Sequence, residues 1–103
     1  MTGSKASRVH LTSTVAMSQS QVATHVEGEV VILGLHSGEY YDLDAVGARI
    51  WDLLQEPRTV QALLEVLLQE YDVDSERCER DLLAVLQELA DEGLIEVNNE
   101  APP

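Results

Sequence analysis

The stretch that decides the fold is HSGEYYDLDAVGARIWDLL, residues 36–54. It opens with the chemistry of a tight turn, continues as a short strand with two adjacent tyrosines, and becomes an amphipathic helix with no linker between. Just upstream, EVVILGL (residues 29–35) is a run of branched apolar residues bounded by Gly28, the composition of a buried strand. Three or so residues containing Gly38 join it to EYYDL (residues 39–43), which is the length and chemistry of an antiparallel hairpin. Alternation in the second run puts Tyr41 and Leu43 on one face, assigned to the core side, and Tyr40 and Asp42 on the other.

Downstream, Asp44 suits a helix N-cap, and Val46, Ile50, Leu53 and Leu54 follow as one apolar stripe. Pro57 stops that helix near Gln55. Gly47 weakens the helix by about 1 kcal/mol relative to Ala, which a close crossing by another element would explain. A second helix starts at Thr59 and carries Val60, Leu63, Leu64, Leu67 and Tyr71 on one face. A third is capped by Asp74 or Ser75, carries Cys78, Leu82, Val85, Leu86 and Leu89, and ends at Gly93 in a left-handed conformation. LIEV, residues 94–97, adds a short final strand. Upstream, VHLTSTVAM and QVATHVEG supply one or two further strands.

The fold class is therefore α+β: strands first, then three helices with short connections, the trihelical unit of helix-turn-helix domains, which flanking strands make winged. With 103 residues there is room for one domain, expected over residues 9–97 between loose tails at 1–8 and 98–103. Aromatic residues make up only 4% and Phe is absent, so Leu, Val, Ile and Ala must fill the core.

The formal charge of −13 argues against a nucleic-acid partner, whose phosphates are met by Lys and Arg. The excess is uneven, net −2 over residues 1–51 and −11 over 52–103, as solvated acidic helix faces or an attraction for basic partners would produce. No apolar run is long enough to span a membrane and no signal-peptide stretch opens the chain, so the expected location is the cytoplasm. Cys78 is the single cysteine and reads as a small hydrophobe in a helical stripe.

Catalytic and metal motifs fail on inspection. His10, His25 and His36 lie at no ligand spacing. DVDSE (residues 72–76) begins like a calcium loop but has Arg77 at its sixth position and Leu83 at its twelfth. The Asp74–Ser75 pair resembles the prosthetic-arm site of an acidic carrier protein, yet Glu76 follows instead of leucine and strands precede it. No enzyme, cofactor or metal is indicated. What remains is a binding surface: residues 39–43 form a plausible open sheet edge for strand addition, with Arg77, Asp81 and Val85 as a wall beside it. Packing of both tyrosines into the core or rim is equally compatible with the pattern.

Taken in order, Gly38, Tyr40, Tyr41, Leu43, Gly47 and Trp51, then the turn at residues 57–59, YDVD and EGLI, resemble the PqqD-like family, and especially its stand-alone members in lasso-peptide biosynthesis. The resemblance covers roughly residues 15–97. It implies a winged helix-turn-helix recognition element, a three-stranded antiparallel sheet packed on three helices. Such a protein binds the leader segment of a precursor peptide as an added strand beside the third strand and against the third helix. The contacts implied are Glu39, Tyr40, Tyr41, Asp42 and Leu43 on the strand, and Arg77, Cys78, Asp81, Leu82 and Val85 on the helix. A leader tyrosine and a nearby proline would need apolar pockets near Tyr41, Leu82 and Val85, so Leu82→Asp or Val85→Asp is expected to weaken binding with the fold largely kept, whereas at a buried position the aspartate would unfold the protein instead. Implied partners are a transglutaminase-like leader peptidase and an ATP-dependent cyclase. Asp44 stands where relatives commonly have asparagine; both cap helices. The competing reading is a winged-helix transcriptional regulator, which needs a basic recognition helix; here the third helix has only Arg77 and Arg80 among many acids.

Overall fold

The apolar run and the tyrosine strand pair as expected. The computed structural model describes residues 8–99. In it β1 spans Thr14–Met17, β2 Gln21–Val26, β3 Glu29–Gly34 and β4 Tyr40–Leu43. Helix α1 (Ala45–Leu53) is followed by the two-residue β5 (Arg58–Thr59), α2 (Val60–Glu70), α3 (Ser75–Asp91) and β6 (Ile95–Asn98). The expected tails fall largely outside the described residues. Within them, Asn98 ends β6, and the Asn99 side-chain amide donates to the Arg8 carbonyl at 3.0 Å.

Strands β2, β3 and β4 form one antiparallel sheet in that spatial order. Glu27 and Gly28 both adopt positive φ (49° and 86°), the geometry of the two-residue turn whose twist matches paired strands. On β3, Val30 and Ile32 are fully buried. Apolar burial of this kind contributes about 1.5–3 kcal/mol for each large aliphatic side chain.

A single three-stranded sheet was the expectation; the described residues form two. The second, in the order β5–β1–β6, joins the beginning of the described chain to its end, with Thr14 opposite Asn98 and Met17 opposite Ile95. Ser18 reinforces this closure: its hydroxyl donates to the Gly93 carbonyl at 2.8 Å and its amide to the Leu94 carbonyl at 3.0 Å.

Each helix begins at the cap its sequence announced. Asp44 Oδ1 accepts from the Gly47 amide at 2.9 Å, Thr59 Oγ1 from Ala62 at 3.2 Å, and Asp74 Oδ2 from Arg77 at 3.0 Å. These bonds satisfy amides that no preceding turn can reach. Helix α3 stops because Gly93 takes φ +77°, letting the Gly93 and Leu94 amides donate back to the Ala90 and Leu89 carbonyls. The close approach expected at Gly47 comes from the residue that ends β4: a Cβ there would lie 3.1 Å from the Leu43 Cβ. At this tight strand-to-helix switch any larger residue would have to push Leu43 aside by a few tenths of an ångström.

The core lies between the hairpin sheet and the helices, with Trp51 as its largest fully buried side chain. Helix α1 packs under β3, and α2 packs on α3. Arg49 of α1 makes a two-pronged ion pair with Glu70 of α2, at 2.9 and 2.6 Å. One residue of the α1 stripe departs from expectation: Val46 is 45% exposed. The helix begins at the molecular edge, so its first apolar residue faces an opening instead of the core.

Candidate functional site

Among the described residues, strand β4 is paired on one side only, to β3. The Gly34 amide donates to the Glu39 carbonyl at 3.0 Å, which sets the phase of the antiparallel ladder. Tyr41 and Leu43 therefore exchange bonds with Ile32 and Val30, while the amides and carbonyls of Tyr40 and Asp42 point outward to the open edge. Such an edge can accept another extended chain. Side chains follow the expected alternation. Tyr40 and Asp42 are exposed, with Tyr40 at 72%, whereas Tyr41 and Leu43 are half-buried against the core.

Tyr41 connects the edge to α3. Its hydroxyl donates to Glu92 Oε1, at the C-cap of α3, over 2.8 Å and approaches Glu39 Oε1 at 3.2 Å. A hydrogen bond with Ser37 pulls the phenol pKa down, but the bond to Glu92, desolvation, and the charges and bonds of the surrounding carboxylates together hold it above the usual tyrosine value. Tyr41 stays a neutral donor.

Beyond the C-terminal end of β4 the surface opens into a cleft of about 490 Å³. Its floor is apolar: Ile50 of α1, Leu67 of α2 and Leu82 of α3, each buried. Val46 and Val73 stand exposed on its rim, and Tyr71 closes the end where α2 turns into α3. Helix α3 lines the other side with Arg77, Cys78, Asp81 and Val85, the helical spacing that puts them on one flank. Arg77 and Asp81 lie 3.8 Å apart, both exposed, a pairing of little energetic weight. Burial, and then the Asp81 carboxylate, push the Cys78 thiol above its ordinary pKa, so it behaves as an apolar lining group and not as a nucleophile.

The ten residues singled out from sequence fall into two adjacent surfaces. The five on α3 all line the cleft. Tyr40, Tyr41, Asp42 and Leu43 form the edge strand, with Glu39 in the turn leading into it; none of these five lines the cleft. The opposite wall, made of Val46, Ile50, Leu67, Tyr71 and Val73, was not foreseen. Its one visible signal was Val46, an apolar residue two positions after an N-cap, too early in the helix to be covered.

The family description "Coenzyme PQQ synthesis protein D (PqqD)" matches residues 29–95, a span that holds β3, β4 and all three helices. The chain belongs to the PqqD family. Both the open edge and the cleft lie within the PqqD span. Among solved structures, the chain is similar to TbiB1, determined in complex with the TbiA(beta) leader peptide. The two share 39% identity and a TM-score of 0.73, over 84% of this chain and 99% of TbiB1. No curated protein matches.

Proposed function

We propose that this protein is a non-catalytic recognition element for the leader segment of a ribosomally made precursor peptide, in lasso-peptide or related biosynthesis. The observation that carries this reading is the open β4 edge beside an apolar cleft, in a chain 39% identical to a protein solved with a leader peptide bound. The leader adds as a fourth strand along β4, pairing with the outward amides and carbonyls of Tyr40 and Asp42. Its apolar side chains reach past Leu43 toward Val46, Leu82 and Val85. Backbone pairing supplies affinity that depends little on sequence, and the cleft supplies selectivity.

The working unit is residues 9–97, with α1–α3 and their flanking strands read as a winged helix-turn-helix. It acts in the cytoplasm and presents the bound peptide to a transglutaminase-like leader peptidase and an ATP-dependent cyclase. The alternative use of this scaffold, DNA binding, is opposed by α3 itself, where Arg77 sits beside Asp81 and acids outnumber bases. Titration calorimetry with the leader peptide of the accompanying precursor tests the proposal. One-to-one saturable binding is expected, and no heat at any leader concentration would reject it.

A further inference from the structure

The cleft is apolar at its floor and acidic at its mouth. Among the described residues that line it, Asp72, Asp74 and Asp81 carry carboxylates and Arg77 is the one cation. Asp74 uses one oxygen to cap α3, and Arg77 reaches Asp81 through a single contact of 3.8 Å between two exposed side chains. A contact so long and so well hydrated is readily exchanged for a better one. The approach from β4 has the same sign, since Asp42 is exposed on that strand and Asp44 caps α1 immediately after it.

Charge and apolar surface are interleaved at this mouth. Val73, 50% exposed, stands between Asp72 and Asp74 in the chain, and exposed Val46 follows Asp44 by two positions. An aliphatic rim edged by carboxylates matches the build of Lys and Arg, whose methylene stems cover apolar surface while the charged head stays near water. An acidic side chain seated there would meet carboxylates of its own sign. A purely apolar one would cover Asp72 and Asp81 and give them no partner in place of the water they lose.

We infer that the cleft selects leaders in which Lys or Arg neighbours the apolar anchor, the cation pairing with the carboxylates of Asp72 and Asp81 and taking the place of Arg77 beside Asp81. The inference rests on the leader-binding reading above and adds to it the charge of the peptide accepted. Backbone pairing along β4 does not read side chains, and the floor of Ile50, Leu67 and Leu82 does not read charge. The acidic mouth is what separates a basic leader from an acidic one of equal apolar content.

The test uses the full chain and the leader peptide of the accompanying precursor, with two synthetic forms of that leader in which every Lys and Arg is replaced by Gln or by Glu. Titration calorimetry gives Kd in about 0.1 M and about 1 M salt, where charges are felt over about 10 Å and about 3 Å. Asp72→Asn and Asp81→Asn change exposed side chains, and their thermal melts should match the unaltered protein's. With the natural leader each raises Kd by about threefold or more in low salt, and the difference vanishes in high salt. With the Gln leader both bind as the unaltered protein does, because the partner charge is gone, and the Glu leader binds more weakly than the Gln leader. Glu79→Gln makes an equal change of charge on another flank of α3, where Glu79 lines a separate hollow with Glu76, Arg80 and Leu83, and leaves Kd unaltered. Natural-leader affinity that is the same in both Asn variants as in the unaltered protein overturns the inference, as does equal binding of the Gln and Glu leaders. A loss in Glu79→Gln as large as that in Asp81→Asn also overturns it, by tracing the effect to the overall charge of −13. Failure of the unaltered chain to bind any of the three leaders rejects the leader-binding reading instead.

Discussion

For an aspartate at Leu82 or Val85 the sequence left two outcomes, weakened binding or, at a buried site, unfolding; the structure divides the two residues between them, and the contrast gives a quantitative test of the cleft. Val85 is half-buried on the cleft wall, whereas Leu82 is 2% exposed at its floor. In Val85→Asp the new carboxylate keeps water in the free protein and loses it when a peptide covers the wall. Half a valine's burial is worth about 1 kcal/mol. Covering an unpaired polar group costs about 1–3 kcal/mol more, and Asp81 one turn away adds repulsion. The sum, about 2–4 kcal/mol, is on the order of a 30- to 1,000-fold rise in Kd. In Leu82→Asp the carboxylate has no water even without peptide, so the cost falls on folding and exceeds about 4 kcal/mol. That is much of the roughly 5–15 kcal/mol that holds a domain of this kind together. Calorimetry of leader binding and thermal melts followed by circular dichroism separate the cases. A folded Val85→Asp protein with unaltered affinity would refute the cleft as the leader's anchor site.

Three further outcomes concern how the site is held. Gly47→Ala should fail to deliver the roughly 1 kcal/mol that alanine usually brings to a helix. The new methyl meets the Leu43 Cβ at 3.1 Å, an atom that cannot rotate away, so the urea midpoint falls instead of rising. Gly93→Ala forces a side chain into φ +77° and should cost about 1–2 kcal/mol in urea denaturation, by straining the stop of α3. The Arg49 guanidinium holds the Glu70 carboxyl below its unfolded value of 4.5. Its stabilising contribution is therefore complete above that pH and is lost as pH falls through the lower native value. Melts of Glu70→Gln should lie below the unaltered protein at neutral pH and converge with it in acid.

Local chemistry made much of the fold readable. Asp44, Thr59 and Asp74 each cap through a bond to an amide three residues ahead, and Gly93 ends α3 through its own φ, so none depends on distant parts of the chain. The hairpin of β3 and β4 was equally local. The second sheet was not readable, because it pairs Thr14 with Asn98 and includes a strand of only two residues. Nothing in VHLTSTVAM specifies a partner more than eighty positions away. The site divided the same way. Helical spacing on α3 brought Arg77, Cys78, Asp81, Leu82 and Val85 to one flank. The opposite wall depends on how α1 and the turn after α2 meet α3, a tertiary fact. Beyond the early position of Val46 in its helix, Tyr71 and Val73 carried no pattern to separate cleft lining from core.

The central claim is that a leader pairs with the outer edge of β4, and residue-resolved amide hydrogen exchange tests it most directly. In the free protein the Tyr41 and Leu43 amides are already bonded to β3 and exchange slowly, while those of Tyr40 and Asp42 face solvent and exchange fast. Saturating leader peptide should slow exchange at Tyr40 and Asp42 and leave the alternate pair nearly unchanged. Leader binding that leaves Tyr40 and Asp42 exchanging as fast as before would contradict the account.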